Sequence, residues 1–296
     1  MGDKIDILCP AKVNLFLKVM GKRDDGYHEI ISLMQPVELF DEIILTVSDG
    51  DGITLKCDTA SIPSGQENLA WKAADLFLRE TAIKRAVSIV LKKRIPSGGG
   101  LGGGSSDAAG VLMGLNEILG AGLNEERLKL IASLLGSDVP FFILKGPAFA
   151  YGRGEILERA TLPLLYYVLI NPGIHISTAW AYGNLSLTKK TKDNILIVSK
   201  GLVESKEKIA GLLENDLEGA VIGEYPVIAV LKGLLLDCGA KGALMSGSGS
   251  TVFGLFFEER EAEEAITRLK GKLPANCEIF LARGLSQIYG LRPPLL

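Results

Sequence analysis

Apolar and polar residues alternate from Lys4 to Val19, a pattern that predicts a β-strand with one buried face. Lys12, Asn14 and Lys18 fall on the opposite, polar face of this strand. Apolar runs predict three further strands in the first third of the chain, at Glu42–Val47, Ile53–Lys56 and Val87–Leu91. A helical stripe of apolar residues predicts a helix within Glu67–Thr81.

A glycine-rich segment follows these elements. Six of the seven residues from Gly98 to Gly104 are glycine. After Ser105 the spacing becomes helical, with one apolar side formed by Ala108, Val111, Leu112, Leu115 and Leu119. Asn124–Leu135 is predicted as another helix, which Gly136 ends. Because a predicted strand and a predicted helix flank the glycine run directly, the pattern disfavours a flexible linker.

The second half of the chain has an order of elements that indicates its fold. It predicts a hairpin at Ala148–Leu157, a strand at Tyr166–Ile170, helices at Ser177–Asn184, Asn194–Leu213 and Tyr225–Asp237, a glycine-rich β segment at Gly242–Phe257, a helix at Arg260–Lys272 and a strand at Glu278–Leu281. The order strand-helix-strand-strand-helix-strand is ferredoxin-like. We therefore expect an α+β fold of two lobes that meet near Leu157–Leu165, with domains at residues 1–160 and 161–296.

Composition and charge narrow the class of protein. The 296 residues carry a formal net charge of −3, which offers no basic field for nucleic acid or an anionic membrane. The longest apolar run, Leu162–Ile170, is far shorter than the roughly 18 residues of a membrane span, and the first residues lack a signal-peptide core. Four cysteines and two histidines show no zinc spacing. We expect a soluble cytoplasmic protein with reduced thiols and no membrane or nucleic-acid partner.

The glycine run suits an anion. It leads into Ser105, Ser106 and Asp107 and then a helix, so free backbone N–H groups can close around phosphate oxygens. A P-loop would need Lys directly after Gly104, where Ser105 stands. A dinucleotide fingerprint would need a following parallel strand with a terminal acidic residue, which the sequence does not predict. The pattern therefore indicates phosphate held by backbone amides, with cationic help from elsewhere in the chain.

The same segment resembles the central motif of the GHMP kinases, in which a proline, a small-residue loop and a Gly-Leu step precede a Ser-Ser pair. Two extra glycines, Gly103 and Gly104, and Asp107 before Ala108 depart from the general pattern. That departure resembles one branch of the family, whose loop reads GGGLGGGSS. The resemblance extends along nearly the whole chain, in the family's order, through the segments PAKVNLFLKV, RDDGYHEI, GSDVPFF and MSGSGSTVFGLF.

The resemblance implies a fold and an activity. The fold is the two-lobed GHMP kinase fold, with a mixed sheet and phosphate-loop helix in the N-terminal lobe and a ferredoxin-like C-terminal lobe. The activity of the branch is ATP-dependent phosphorylation of the 2-hydroxyl of 4-diphosphocytidyl-2-C-methyl-D-erythritol in non-mevalonate isoprenoid biosynthesis, with Mg²⁺ and without an obligatory protein partner. Lys12 and Asp138 are the implied catalytic pair. Their neighbouring sequence alone would also fit a solvated surface lysine at Lys12 and a favourable charge at a helix N-terminus at Asp138.

The resemblance also implies two sets of binding residues. For ATP these are Asn68, Lys93, Pro96, Ser97, Gly98, Gly99, Gly100, Leu101, Gly102, Gly103, Gly104, Ser105 and Ser106. For the cytidyl substrate they are Asn14, Tyr27, His28 and Tyr182, with cytosine between the two tyrosine rings and His28 at its polar edge. Asn68 also fits a plain N-cap, and Tyr182 also fits an ordinary core residue. No metal ligand is assigned, although the hydroxyls of Ser105 and Ser106 are candidates.

Two alternatives to this function remain open from the sequence. Another small-alcohol kinase of the same superfamily, such as homoserine or mevalonate kinase, would share the phosphate loop, but the Gly-Tyr-His segment and the extended loop disfavour it. A nucleotide-binding regulator that lost catalysis would be expected to lose Lys12 or Asp138, and both are present. The segment Ser246–Ser250 resembles the third glycine-rich motif of the family and is expected to pack against the phosphate loop.

Overall fold

The computed structural model describes residues 3–185 and 205–287, and the backbone of 291–292. Twelve strands are present in this part of the chain: β1 Asp3–Lys22, β2 His28–Ser48, β3 Ile53–Cys57, β4 Ala86–Lys92, β5 Ala148–Gly152, β6 Ile156–Arg159, β7 Tyr166–Asn171, β8 Glu214–Asn215, β9 Gly242–Met245, β10 Val252–Phe256, β11 Glu278–Arg283 and β12 Leu291–Arg292. The helices there are α1 Leu69–Thr81, α2 Gly103–Ile118, α3 Glu125–Ser133, α4 Val139–Leu144, α5 Thr178–Gly183, α6 Lys206–Leu212, α7 Glu218–Glu224, α8 Val227–Asp237 and α9 Glu259–Leu269.

The larger sheet is built around the long antiparallel pair β1 and β2. β1 pairs along nearly its whole length with β2, and the register shifts between Pro10 and Ala11, between Asn14 and Phe16, and between Val19 and Gly21. One end of β2 pairs with β4, which pairs in parallel with β3, and the other end pairs with β5 of the β5–β6 hairpin. The part of β1 that follows the first shift contacts the glycine-rich loop, because Lys12 N–H donates to Leu101 O.

Helix α2 packs closely on this sheet because small residues face it. A Cβ added at Gly110 would lie 2.5 Å from Cys9 Sγ, and one added at Gly114 would lie 2.5 Å from Ile7 Cδ1. Every residue from Ser106 to Leu115 is buried. The helix that follows the glycine run is therefore fixed along most of its length, and so is its N-terminus.

The smaller sheet has the strand order β11-β7-β10-β9, antiparallel throughout. In chain order β7, β9, β10 and β11 this is the arrangement of a ferredoxin-like lobe, with helices between the first and second strands and between the third and fourth. The predicted α+β class and the ferredoxin-like C-terminal lobe are thus confirmed. The first part of the predicted helix Asn194–Leu213, up to residue 204, lies outside the described residues. The rest of it contains α6.

Several elements differ from the sequence-based expectation. β2 begins at His28 rather than Glu42, and α2 begins at Gly103, before Ser105. Helix α7 was not expected. β8 and β12 were not expected either, and both come from the second half of the chain and pair with β1. The domain bounds 1–160 and 161–296 stay a prediction.

Among the described helices, none alone has both the length and the apolar composition needed to cross a membrane. α7 and α8 meet those two criteria only when they are taken together across a bend of 112°.

Candidate active site at the glycine-rich loop

A cleft of about 1080 Å³ lies against the glycine-rich loop. Its wall includes residues of β1, the loop before α2, the start of α4, the turn between β5 and β6, and α5. The predicted catalytic residues and most of the predicted binding residues line this one cleft, whereas Ser106 is buried behind it. The sequence motifs, which are far apart along the chain, therefore meet at a single place.

The start of α2 lies in the wall of the cleft, at the position where the sequence predicts an anion site. Gly102 caps the helix with φ of +72°, a left-handed conformation that favours glycine. Ser106 N–H donates to Gly102 O at 2.9 Å, so the preceding N–H groups of the first turn have no carbonyl within the helix to bond. The donors of this turn are therefore Gly103, Gly104 and Ser105, one turn earlier than a Ser or Asp cap would have placed them.

The segment Ser246–Ser250 forms a second glycine-rich loop. Gly100 approaches this second glycine-rich loop too closely for a side chain. Gly100 has φ of +76°, and a Cβ there would lie 2.0 Å from the carbonyl oxygen of Ser246. Thr251 N–H donates to Gly99 O at 3.1 Å, and Ser246 Oγ–H donates to Gly100 O at 3.0 Å. The expectation that the segment Ser246–Ser250 packs against the phosphate loop is confirmed.

Lys12 and Asp138 meet beside the same loop. The Lys12 ammonium lies 3.7 Å from Asp138 Oδ2, and its side chain is only 4% exposed, whereas that of Asp138 is 38% exposed. Burial lowers the pKa of Lys12, and the Asp138 carboxylate opposes that shift. Asp138 precedes α4 without making a capping hydrogen bond. Its carboxylate is therefore open to the cleft, next to a buried cation.

The backbone fixes Lys12 to the loop. Lys12 N–H donates to Leu101 O at 2.9 Å, and the Lys12 ammonium donates to Asn14 Oδ1. Lys12 and Asn14 are two residues apart on β1 and share a strand face, as the alternation of the sequence predicts. Both are buried rather than solvated.

Three of the predicted cytidyl-binding residues, Tyr27, His28 and Tyr182, line the cleft with their rings in contact with other groups, whereas Asn14 lies beside Lys12. His28 stacks on Tyr182 with ring centroids 5.0 Å apart and an angle of 26° between planes. The Arg153 guanidinium lies over the Tyr27 ring at 4.8 Å. Burial first and the charge of Asp138 second raise the pKa of Tyr182. The sandwich of cytosine between Tyr27 and Tyr182 stays a prediction, and one face of each ring is already in contact with a neighbouring side chain.

Two of the predicted ATP contacts have other partners in this structure. Asn68 is the N-cap of α1, where its Oδ1 accepts from Ala70 N–H at 2.9 Å and its Nδ2 donates to Pro63 O at 2.8 Å. The Lys93 ammonium pairs with Asp41 and, at 2.7 Å, with Asp107 Oδ2. Both residues still line the cleft, so their roles toward ATP stay predictions.

The acidic partners of Lys93 were missed by sequence reasoning. Asp41 Oδ1 accepts from the N–H groups of Arg94 and Ile95 at 2.6 and 2.9 Å, which ties the start of the loop to β2. Burial, partly opposed by Lys93, raises the pKa of Asp107 to about 7. One sequence signal was available, since Asp107 follows the Ser-Ser pair directly. Two carboxylates and one ammonium thus share a buried site under the first turn of α2.

The raised pKa of Asp107 predicts a pH-dependent effect of Asp107→Asn on stability. The pKa of Asp107 is about 7 in the folded chain and roughly 3.9 in the unfolded chain. The stabilisation from this difference is fully present below the unfolded pKa, and it is lost as the pH rises through the folded pKa. Asparagine cannot acquire the charge. At each pH we subtract the melting temperature of the unchanged protein from that of Asp107→Asn. We expect this difference to rise by roughly five degrees between pH 5 and pH 8.5.

Thermal unfolding followed by circular dichroism across this pH range measures the difference. Asp75→Asn is the matched control, because Asp75 forms an ion pair with Arg79 on the outer side of α1. Its melting-temperature difference should stay flat with pH. A flat difference for Asp107→Asn as well would contradict the raised pKa.

Two family models match the chain: the GHMP kinases N terminal domain over residues 68–146 and the GHMP kinases C terminal over residues 197–275. A curated relative from Geobacter sp. (strain M21), named 4-diphosphocytidyl-2-C-methyl-D-erythritol kinase, is 50% identical over 268 residues, which cover 90% of this chain and 95% of that protein. The chain belongs to the GHMP kinase family. A relative of the same name from Syntrophus aciditrophicus is 44% identical and covers 95% of this GHMP kinase.

Solved structures of two kinases share the fold of this chain. A crystal structure of 4-(cytidine 5'-diphospho)-2C-methyl-D-erythritol kinase superposes with a TM-score of 0.78 at 35% identity, covering 94% of this chain and 98% of that one. A homoserine kinase from Cytophaga hutchinsonii has a TM-score of 0.77 at 22% identity, with coverages of 99% and 98%. The second likeness shows the fold alone.

Proposed function

We propose that this GHMP kinase transfers the γ-phosphoryl group of ATP to the 2-hydroxyl of 4-diphosphocytidyl-2-C-methyl-D-erythritol, giving the 2-phosphate and ADP in non-mevalonate isoprenoid biosynthesis. The curated relatives named for this activity match over nearly their full length. The observation that carries the mechanism is the Lys12–Asp138 pair, 3.7 Å apart, beside the free N–H groups of α2. A soluble cytoplasmic protein without an obligatory protein partner remains part of the proposal.

The pair supplies a base and a positive charge. The substrate hydroxyl oxygen forms a bond to the γ-phosphorus while the bond from that phosphorus to the β–γ bridging oxygen breaks, and ADP leaves with the electron pair. The hydroxyl proton passes to the Asp138 carboxylate. Lys12 orients that carboxylate and offsets the negative charge of the transferring group. If the transition state is loose, alignment and electrostatics contribute more than the base does.

The loop supplies the phosphate site. The N–H groups of Gly103, Gly104 and Ser105 and the positive end of the α2 dipole would hold the ATP phosphates. Mg²⁺ prefers oxygen ligands. Ser106 Oγ, at the start of α2, is a buried oxygen without a hydrogen-bond partner among the described residues, so its chemistry fits this ion. Ser105, which lines the cleft, and Ser106, directly behind its wall, are the residues that would hold the ion, and the ion would neutralise part of the phosphate charge. The described residues contain no group of three His, Cys, Asp or Glu side chains suited to a metal.

One assay distinguishes this function from its alternatives. The purified protein is given ATP and Mg²⁺ with the cytidyl substrate, homoserine or mevalonate, and ADP release is measured. We expect turnover only with the cytidyl substrate. Turnover with homoserine or mevalonate would assign another small-alcohol kinase. ATP binding in a calorimeter without turnover on any of the three would favour a nucleotide-binding regulator.

Tyr182→Ala tests the cytidyl end of the cleft. Removing the ring removes a stacking surface that is worth about 1–3 kcal/mol for a base, so KM for the cytidyl substrate should rise about tenfold or more. KM for ATP should be unchanged. Steady-state kinetics with each substrate varied in turn measure both constants.

Tyr182→Phe is the control for this prediction, since it keeps the ring that stacks on His28 and loses only the hydroxyl. Its KM for the cytidyl substrate should stay within about threefold of the unchanged protein, less than 1 kcal/mol. An unchanged KM in Tyr182→Ala would remove Tyr182 from the substrate site.

A further inference from the structure

Ser32 lies behind the catalytic pair, out of reach of any substrate. It is fully buried on β2, and its backbone pairs with Leu17 of β1 on one side and Ala150 of β5 on the other. Asn14 lies opposite Met34, two residues from Ser32 on the same face of β2, so Asn14 and Ser32 are diagonal neighbours. The register shift between Asn14 and Phe16 occurs at this point. Ser32 can therefore reach both the Asn14 side chain and the β1 backbone.

The hydrogen bonds of Ser32 have only one consistent direction. Its hydroxyl has a single hydrogen, which it donates to the carbonyl oxygen of Phe16 at 2.7 Å. Toward Asn14, 2.9 Å away, Ser32 Oγ can then act only as an acceptor. The Asn14 amide must therefore place its NH₂ group toward Ser32, and its Oδ1 faces the other way.

That orientation decides what Lys12 meets. With Oδ1 turned toward it, Asn14 accepts a hydrogen bond from the Lys12 ammonium. In the reversed amide, an NH₂ group would face a cation, and Oδ1 would face a hydroxyl whose hydrogen is already donated. The second glycine-rich loop closes over the pair, because a Cβ at Gly247 would lie 3.2 Å from both Asn14 Oδ1 and Lys12 Nζ.

We propose that Ser32 is a positioning residue that acts through Asn14 to hold the Lys12 ammonium beside Asp138. Resting on the proposed function, this adds a residue that touches neither substrate. One ammonium hydrogen goes to Asn14 and one points toward Asp138, which leaves the third for the group being transferred. Without Ser32, the Asn14 amide is free to turn and the ammonium loses its fixed direction.

Ser32→Ala tests the proposal by steady-state kinetics. We expect kcat to fall about tenfold, the effect of roughly one misdirected hydrogen bond at the transition state. KM for ATP and for the cytidyl substrate should stay within about twofold, since neither substrate contacts Ser32. Ser32→Thr, which keeps the hydroxyl, should recover most of kcat. Thr81→Val is the matched control: it also removes a hydroxyl that donates to a backbone carbonyl, Phe77 O at 2.8 Å, at the end of α1, and its kcat should be unchanged.

A double-mutant cycle separates positioning from a general structural effect. If Ser32 acts through Asn14, Ser32→Ala should lower kcat no further in an Asn14→Ala background. Losses that multiply would overturn the proposal, and so would an unchanged kcat in Ser32→Ala alone.

A crystal structure of Ser32→Ala adds a readout that needs no turnover. The Asn14 amide should be turned away from Lys12, and an amide still bonded to the ammonium would overturn the proposal. Failure of the unchanged protein to phosphorylate the cytidyl substrate would instead count against the proposed function.

Discussion

Asp138→Asn is expected to lower kcat by about 10²–10⁴-fold, the usual contribution of a positioned general base. Asparagine has nearly the shape of aspartate but cannot take the hydroxyl proton, and it gives Lys12 no negative partner. KM for ATP should change little, because the phosphates are proposed to bind at the N–H groups of α2 rather than at Asp138. The measurement is steady-state ADP release with the cytidyl substrate at saturating ATP.

The fold should not be affected by this change. The Asp138 side chain makes no capping hydrogen bond to α4, so an amide at this position leaves the helix start as it is. Asp75→Asn, the surface carboxylate on α1, should keep kcat within about twofold, since exposed ion pairs contribute little. A near-normal kcat in Asp138→Asn would remove Asp138 from the catalytic assignment.

The sequence was most informative where chemistry depends on neighbours in the chain. Strand alternation places Lys12 and Asn14 on one face, and the structure keeps them there. A glycine run before a helix predicts an anion site, and the structure does have a helix, α2, that begins within this run. The helix begins at Gly103 rather than after Ser105, an early start that the sequence does not predict because glycine has a low intrinsic preference for helices and the serines look like better caps. Packing of the loop against Ser246 outweighs that preference.

Other features depend on contacts that no local pattern carries. Lys93 is 52 residues from Asp41 and 14 from Asp107, and only the fold brings the three together. The sequence predicts only Glu42–Val47 of strand β2, and the part that it misses contains Pro36, a residue type that normally interrupts a strand. The register of β1 shifts near it, between Pro10 and Ala11. The same long-range pairing creates the Ser32–Asn14 contact, so the sequence gives no sign of it.

Lys12→Met is expected to lower kcat by about 10²–10³-fold, the cost of removing one preorganised positive or hydrogen-bonding group from a transition state. Methionine is apolar and of similar length, so it fills the space of the lysine stem and removes the ammonium with its charge and its hydrogen bonds. The fold should tolerate it, because burial already disfavours the charged form of Lys12, as its lowered pKa indicates. KM for ATP should be close to normal, and the measurement is again steady-state ADP release.

A second buried lysine on β1, Lys18, offers a matched control for Lys12→Met. Lys18 is on β1 as well, is also buried, and pairs with Glu214 at 3.1 Å. Lys18→Met therefore removes a comparable buried ion pair outside the wall of the cleft, and its kcat should stay within about twofold of the unchanged protein. Equal losses in both variants would mean that β1 responds to any lost ion pair, and Lys12 would then have no special part in phosphoryl transfer.

Lys12→Arg distinguishes a need for charge from a need for position. A Cβ at Gly102 would already lie 3.1 Å from Lys12 Cγ, so the stem has tight surroundings, and a wider planar guanidinium cannot occupy the same point. We expect Lys12→Arg to recover less than about a tenth of the lost kcat, although it restores the charge, because electrostatic stabilisation here depends on donors fixed in place before the reaction. Full recovery would show that a positive charge anywhere near Asp138 suffices, and the positions of Asn14 and Ser32 would then not matter for the rate.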